Sequence, residues 1–290
     1  MAQEQKQKFA SKSAKERTSR ILIYIFLTVL CVIWLIPFVY LIMQAFRGET
    51  RSMEAYIIPK QWSLINFKIL FTETNFLHWY ANTLIIAAFN AVLQSMIVLC
   101  VAYALSRMRF KGRKFIMNVM LVLGMFPGFL SMIATYFILK LLGLTSENSV
   151  PGLILVYAAS SGMGYYIAKG FFDTIPKSLD EAARIDGASR ARVFFRIIMP
   201  ISKSIIIYTI MMAFMAPWGD FMYASLITFG HEKAYNVAVG LYRWLDKEHI
   251  NNYFTVFCAG GLCVSAPITI LFMFLQKYYV EGVTGGAVKG

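Results

Sequence analysis

Apolar runs of about 20 residues or more recur six times along this 290-residue chain, over about 21–43, 79–105, 115–142, 152–171, 204–229 and 253–279. A run of that length, coiled as a helix, crosses the ~30 Å hydrocarbon layer of a bilayer. Backbone N–H and C=O groups find no water there, and a helix closes their hydrogen bonds within the segment. The expected fold class is therefore all-α: a polytopic membrane protein with six transmembrane helices. Composition agrees, since 15% of residues are charged where a soluble chain carries about 25%. The first run, Ile21 to Met43, has no small-residue cleavage site after it and reads as a signal anchor.

The net charge of +13 could suggest a nucleic-acid partner, but the placement of the charges points to a membrane and to no nucleic acid. With the N-terminus inside, 20 of the 28 Lys and Arg fall on the cytoplasmic side: the N-terminal tail, the 107–114 turn, the 169–203 region and the C-terminal end with Lys277 and Lys289. That bias is the signature of cytoplasmic loops. Both termini are expected in the cytoplasm, with residues 1–20 and 280–290 as tails and 21–279 as the membrane domain. Residues 44–78, which include Pro59 and Trp62, read as an interfacial, partly folded outer segment, and 230–252 as a polar outer loop. Two spans carry breaks, at Pro127-Gly128 and at Pro217-Trp218-Gly219-Asp220.

Chemistry-bearing patterns are scarce. No GxxxxGK[ST] phosphate loop occurs, nor a nucleophile beside a base. Cys31, Cys100, Cys258 and Cys263 all lie within apolar runs without metal-ligand or disulfide spacing, and His78, His231 and His249 are scattered. No catalytic residue, cofactor or metal is expected. Carriers coupled to ion flow keep ionisable groups deep in the membrane. The best candidate here, Asp220, lies roughly 24 Å along its helix from Ser204 at 1.5 Å per residue, towards the outer end. Trp218 offers a flat face to a sugar ring, or the break is simply a helix end meeting water. Asn82, Asn90 and Gln94 share one face of the second span and either line a polar path or bind helices together. Gly162 and Gly164 suit close helix packing.

One charged island stands between two apolar runs: SLDEAARIDGASRARVFFRIIMP, Ser178 to Pro200. It reads as helix, turn, helix. Ser178 with Glu181 has the form of a capping box, Gly187 sits where a left-handed stop is cheapest, and Ser189 can cap a second helix. That helix carries Arg190, Arg192 and Arg196 on one side and Val193, Phe194 and Ile197 on the other, up to Pro200.

The order Glu181-Ala182-Ala183, Asp186-Gly187-Ala188, Phe195, Ile197, Pro200 resembles the EAA loop of permease subunits in binding-protein-dependent ABC importers, with Met199 where leucine is usual. The C-terminal half, through AVGLYRWL at 238–245 and SAPITILFMFLQKYYVEGVTGGAVKG at 265–290, is similar to the smaller, six-span permease subunit of carbohydrate importers, most closely the maltose/maltodextrin type. The resemblance implies the type I ABC importer permease fold in the cell membrane. It implies a larger second permease subunit as heterodimer partner, two cytoplasmic ATPase subunits and an extracytoplasmic sugar-binding protein. It makes Glu181, Ala182, Ala183, Asp186 and Gly187 the ATPase-coupling positions within a coupling loop at 172–203. It implies that the 230–252 loop reaches the binding protein and that the GGAVKG tail approaches the ATPases. Other oligosaccharides or a polyol phosphate remain as substrates, and an ion-coupled secondary sugar carrier as the reading from another class.

Overall fold

The computed structural model describes residues 2–54, 56–125, 128–160 and 162–284. It is a bundle of helices without strands among those residues. The first helix, α1 (Ala2–Ala45), runs on without interruption into the polar N-terminal stretch. A short outer helix, α2 (Ile65–Thr72), precedes the long α3 (Phe76–Arg107). There follow α4 (Arg113–Met125), α5 (Gly128–Leu141), α6 (Ser149–Ala159) and α7 (Gly162–Thr174). The charged island forms α8 (Ser178–Ile185), α9 (Arg190–Val193), a π turn over Phe194–Ile198 and α10 (Met199–Ile201). The chain closes with α11 (Lys203–Gly219), α12 (Met222–Thr228), α13 (Val237–Tyr242) and α14 (Ile250–Thr284).

Three helices are long and apolar enough to cross a membrane unbroken: the 19–45 part of α1, α3, and α14 as far as Tyr278. Three more spans arise if each broken pair counts once, giving up to six. The α4–α5 break falls at residues 126–127, so the expected kink at Pro127 lies outside the described residues, as do 285–290 of the C-terminal tail. The α9–α10 stretch (Arg190–Ile201) meets α11 at an angle of 88° at Ser202.

The hub is α3, which packs against α6, α7, α11 and α13, while α11 also packs on α14 and α14 on α1. Two separate apolar clusters lie along α3. The outer one gathers Phe76, Trp79 and Ile86 with Leu153, Trp218, Val237, Trp244 and Val256. The inner one gathers Val98, Leu99 and Tyr103 with Phe172, Val193, Phe194 and Ile198. Between them α3 carries a polar belt of Asn90, Gln94 and Ser95, with Asn90 and Ser95 buried.

That belt answers the question left open by the sequence. Asn90 Nδ2 donates to Ala213 O at 2.7 Å and to Gln94 Oε1 at 3.1 Å, and Gln94 Nε2 donates to Ser160 O at 2.7 Å. Asn82 Nδ2 donates to Lys233 O and Tyr235 O. All three amides bind helices and loops together rather than standing free in a path.

The outer segment 44–63 is more ordered than expected. Arg47 is fully buried and organises it, through Nε to Gln44 Oε1 (2.8 Å), Nη1 to Glu49 Oε1 (2.7 Å) and Nη2 to Tyr56 O (2.6 Å). Glu49 in turn accepts the backbone N–H groups of Lys60 and Gln61. Burial raises the Glu49 pKa, but these donors and Arg47 outweigh it and bring the carboxyl down to about 2.

Candidate functional site

The charged island folds as the helix–turn–helix read from sequence, with one correction. Ser178 does not cap its helix. The turn starts earlier: Leu179 N bonds Pro176 O and Glu181 N bonds Lys177 O, while Lys177 is already helical. Pro176, with φ fixed near the helical value, nucleates this start and leaves Ser178 inside the first turn, where its hydroxyl cannot reach the N–H a cap would satisfy. Val193 and Phe194 are buried in the inner cluster and Ile197 packs against it half-buried, the apolar side expected, with Ile198 buried beside them. The helix passes through a π turn over Phe194–Ile198 before Pro200, which has no N–H to give.

The stop and restart between the two helices agree with expectation. Gly187 has φ +80°, its N–H bonds Arg184 O, and Ala188 N bonds Ala183 O at 2.9 Å. These two bonds form a Schellman motif, which needs the left-handed residue that glycine supplies at least cost. Ser189 is extended and its Oγ accepts from Arg192 N, capping α9.

The island is bolted to the bundle from one side. Arg107, at the end of α3, has a side chain 5% exposed. Its Nη1 pairs with Asp180 at 3.0 Å, and its Nη2 donates to the carbonyls of Phe172 and Ile175, both at 2.8 Å. Beside it Ser106 Oγ donates to Asp173 Oδ1 at 2.6 Å, and Lys169 pairs with the same carboxylate. Ala183 is buried against the inner cluster. Of the sequence-predicted positions, Glu181, Ala182, Asp186 and Gly187 are exposed, and Ile185 is 86% exposed. Leu179 and Phe195 are also exposed. Sequence reading missed Arg107 and Asp180; the basic 107–114 turn was visible, but nothing in it distinguished the one arginine that turns inward.

The outer break at 217–220 is structural in its contacts. Trp218 is buried against Tyr80 (5.1 Å between ring centroids) and Phe214, so its face is not offered to a sugar ring. Asp220 is half-buried, accepts from the Tyr157 hydroxyl, and accepts from Tyr223 N at 3.1 Å, which opens α12. Asn236 Nδ2 donates to Pro217 O and Asp220 O, two carbonyls released by the break. The 230–252 loop is not loose. Trp79 Nε1 donates to Glu232 O, Thr83 Oγ1 accepts from Val237 N, and Gly240 lies flat on the Trp79 ring. Its rim leaves Phe229 and Tyr242 exposed.

Among the described residues no group of three or more His, Cys, Asp or Glu could hold a metal. Comparison with known proteins agrees with a transport component. The chain is 36% identical over 279 residues to the maltodextrin transport system permease protein MdxG of Bacillus subtilis, covering 96% of this chain and 99% of that one. It is 36% identical over 271 residues to the galactooligosaccharides transport system permease protein GanQ of the same organism, covering 92% and 94%. In fold it is similar to a chain of a bacterial ABC transporter involved in the import of the acidic polysaccharide alginate, with TM-score 0.77 at 22% identity over 91% of this chain and 98% of that chain. Residues 96–285 match the family described as binding-protein-dependent transport system inner membrane component, and the chain belongs to that family.

Proposed function

We propose that this chain forms half of the translocation pathway of an ATP-driven sugar importer and that maltodextrin-type oligosaccharides are its substrates. The chain is the non-enzymatic membrane component, so ATP hydrolysis resides on a separate subunit. The relatives named for maltodextrin and galactooligosaccharide transport support the substrate class. In this reading both termini are cytoplasmic, a larger permease subunit completes the pathway, two ATPase subunits dock on 172–203, and the sugar-binding protein engages the 230–252 rim. Residues 1–20, 21–279 and 280–290 act as cytoplasmic tail, permease domain and cytoplasmic tail.

The observation that carries the reading is the two-sidedness of the α8–α9 hairpin. One side is locked to α3 through Arg107 and Asp180, while Ile185 projects from a charged turn with 86% of its surface open. A large apolar side chain on an otherwise charged, ordered turn is the kind of anchor that a partner's pocket covers. Glu181 and Gly187 frame it. Closure of an ATPase dimer would move the two hairpins of the heterodimer together as rigid bodies, and the 88° corner at Ser202 would pass that displacement into α11.

The test is co-purification of the ATPase with the tagged permease pair, for wild type, Ile185→Asp and Gly187→Pro. The expected result is capture by wild type and loss in both variants, with membrane insertion unchanged and sugar uptake abolished. Proline at 187 can neither adopt φ +80° nor donate to Arg184 O. Full capture and uptake in both variants would defeat the coupling assignment. The carrier alternative separates in vesicles, where uptake driven by an ion gradient without ATP would replace the importer reading.

A further inference from the structure

A cavity of about 340 Å³ lies between the inner end of α3, the 108–113 turn and the α8–α9 hairpin. Its size falls within the ~300–1,000 Å³ of small-ligand sites. Its charge is one-sided: Arg107, Arg109, Arg113, Lys177, Arg184 and Arg190 line it, against the carboxylates of Asp180 and Glu181. Asp180 is already paired with Arg107. Among the described residues Arg109, Lys177, Arg184 and Arg190 make no ion pair. Arg107 Nε is buried without a hydrogen-bond partner, as are the oxygens of Asp180 apart from their ion pair with Nη1, so the Nε is the donor that Asp180 leaves for a further acceptor.

The surroundings say what kind of acceptor suits. Tyr103 and Arg107 belong to the last two turns of a membrane span, and the cavity opens beside a turn in which Phe110 is 41% exposed and the start of α4, where Phe115 is 72% exposed. Aromatic rings interleaved with Arg and Lys at a span end sit at the boundary between acyl chains and headgroups. Anionic lipids of the cytoplasmic leaflet are drawn to such basic clusters, and arginine forks match phosphate oxygens in pairs.

We propose that this cavity binds a phosphate-bearing anion, supplied by the headgroup of an anionic phospholipid. The ligand would bridge the 108–113 turn and the hairpin, so that lipid composition sets the stiffness of the joint between α3 and the coupling loop. The proposal goes beyond the transport reading and rests on it for the cytoplasmic placement of residues 107–113 and of the 172–203 loop that lines the cavity.

The test is native mass spectrometry of the complete importer in detergent, titrated with phosphatidylglycerol or with phosphatidylcholine. Wild type and the charge-preserving Arg109→Lys/Arg113→Lys pair should retain phosphatidylglycerol in preference to phosphatidylcholine. The Arg109→Gln/Arg113→Gln pair should bind it roughly 30-fold more weakly, from the contribution of about two surface cations. Glycerol 3-phosphate and inorganic phosphate at millimolar concentration should fail to displace the lipid. Displacement by either would overturn the lipid as source and assign the site to a soluble phosphate. Equal binding by the Gln pair and wild type would overturn the site itself. So would binding seen only after the ATPase subunits are stripped, which would give the cavity to an acidic segment of the ATPase.

Discussion

The side-chain amide of Asn90 donates to the carbonyl of Ala213 at 2.7 Å, and Ala213 stands four residues before Pro217. In an unbroken helix that carbonyl would accept the N–H of residue 217, which proline lacks. Gln94, one turn further along α3, does the same for Ser160 O, just past the end of α6. Two interrupted helices are therefore repaired from one turn of a third. In the bilayer interior no water could do this.

Asn90→Leu should lower the stability of the purified permease by about 1–2 kcal/mol, the scale of a buried or intramembrane hydrogen bond. Pro217→Ala restores an N–H for Ala213 O and removes the reason for the amide. In the Pro217→Ala background Asn90→Leu should cost measurably less, read as a double-mutant cycle on thermal unfolding. Strictly additive costs would show that Asn90 matters for some reason other than the proline.

Arg107 and Asp180 should not be equivalent. Arg107→Met strands the Asp180 carboxylate and also frees the carbonyls of Phe172 and Ile175. Breaking a buried pair from one side costs about 3–5 kcal/mol. Asp180→Asn removes one charge and leaves both carbonyl contacts in place. Tryptic cleavage at Arg184 and Arg190, which reports opening of the hairpin, should accelerate strongly in Arg107→Met and only modestly in Asp180→Asn. The reverse order would contradict the anchoring role of the arginine.

The sequence disclosed whatever depends on period and punctuation. Apolar run length located the three long unbroken apolar helices, Gly187 located the left-handed stop, and Ser189 located a cap, because each signal is local. Pairings across the bundle were hidden. Nothing near Arg107 in sequence marks it as the inward member of a basic cluster, since its partners stand 65 to 73 residues away. Asn90 and Gln94 were recognisable as polar residues on one face, but their acceptors exist only because Pro217 and the end of α6 expose carbonyls in space beside them.

Gly240 is a tighter test of the outer loop. A Cβ built there would stand 2.1 Å from Trp79 Cε3, and the ring is wedged between Tyr235 and Trp244 at centroid distances of 6.3 and 5.4 Å. Trp79 is 3% exposed and its Nε1 is committed to Glu232 O, so it cannot swing aside cheaply. Gly240→Ala should cost about 1–3 kcal/mol by overpacking. The measurement is labelling of a cysteine introduced at Val239, which is buried in α13 beside Gly240, with a membrane-impermeant reagent. Faster labelling in Gly240→Ala is expected, and an unchanged rate would mean that the loop absorbs the methyl group without lifting.

Glu49 sets the acid limit of the outer segment. Its carboxyl titrates at about 2 in the folded chain against an ordinary value of 4.5; burial works against the charged form, and the N–H groups of Lys60 and Gln61 with the Arg47 guanidinium prevail. A carboxyl with a depressed pKa stabilises the folded state fully above its unfolded value and loses that contribution as pH falls through the folded one. Glu49→Gln keeps the shape but not the charge, so it should lower the melting temperature in nanodiscs by a constant amount from pH 8 down to about 5. From about pH 4.5 towards 2 the wild type surrenders the same contribution and the two curves should converge. A gap that widens on acidification would mean that the donors around Glu49 prefer a neutral acceptor, contrary to the hydrogen bonds that Arg47, Lys60 and Gln61 make to it.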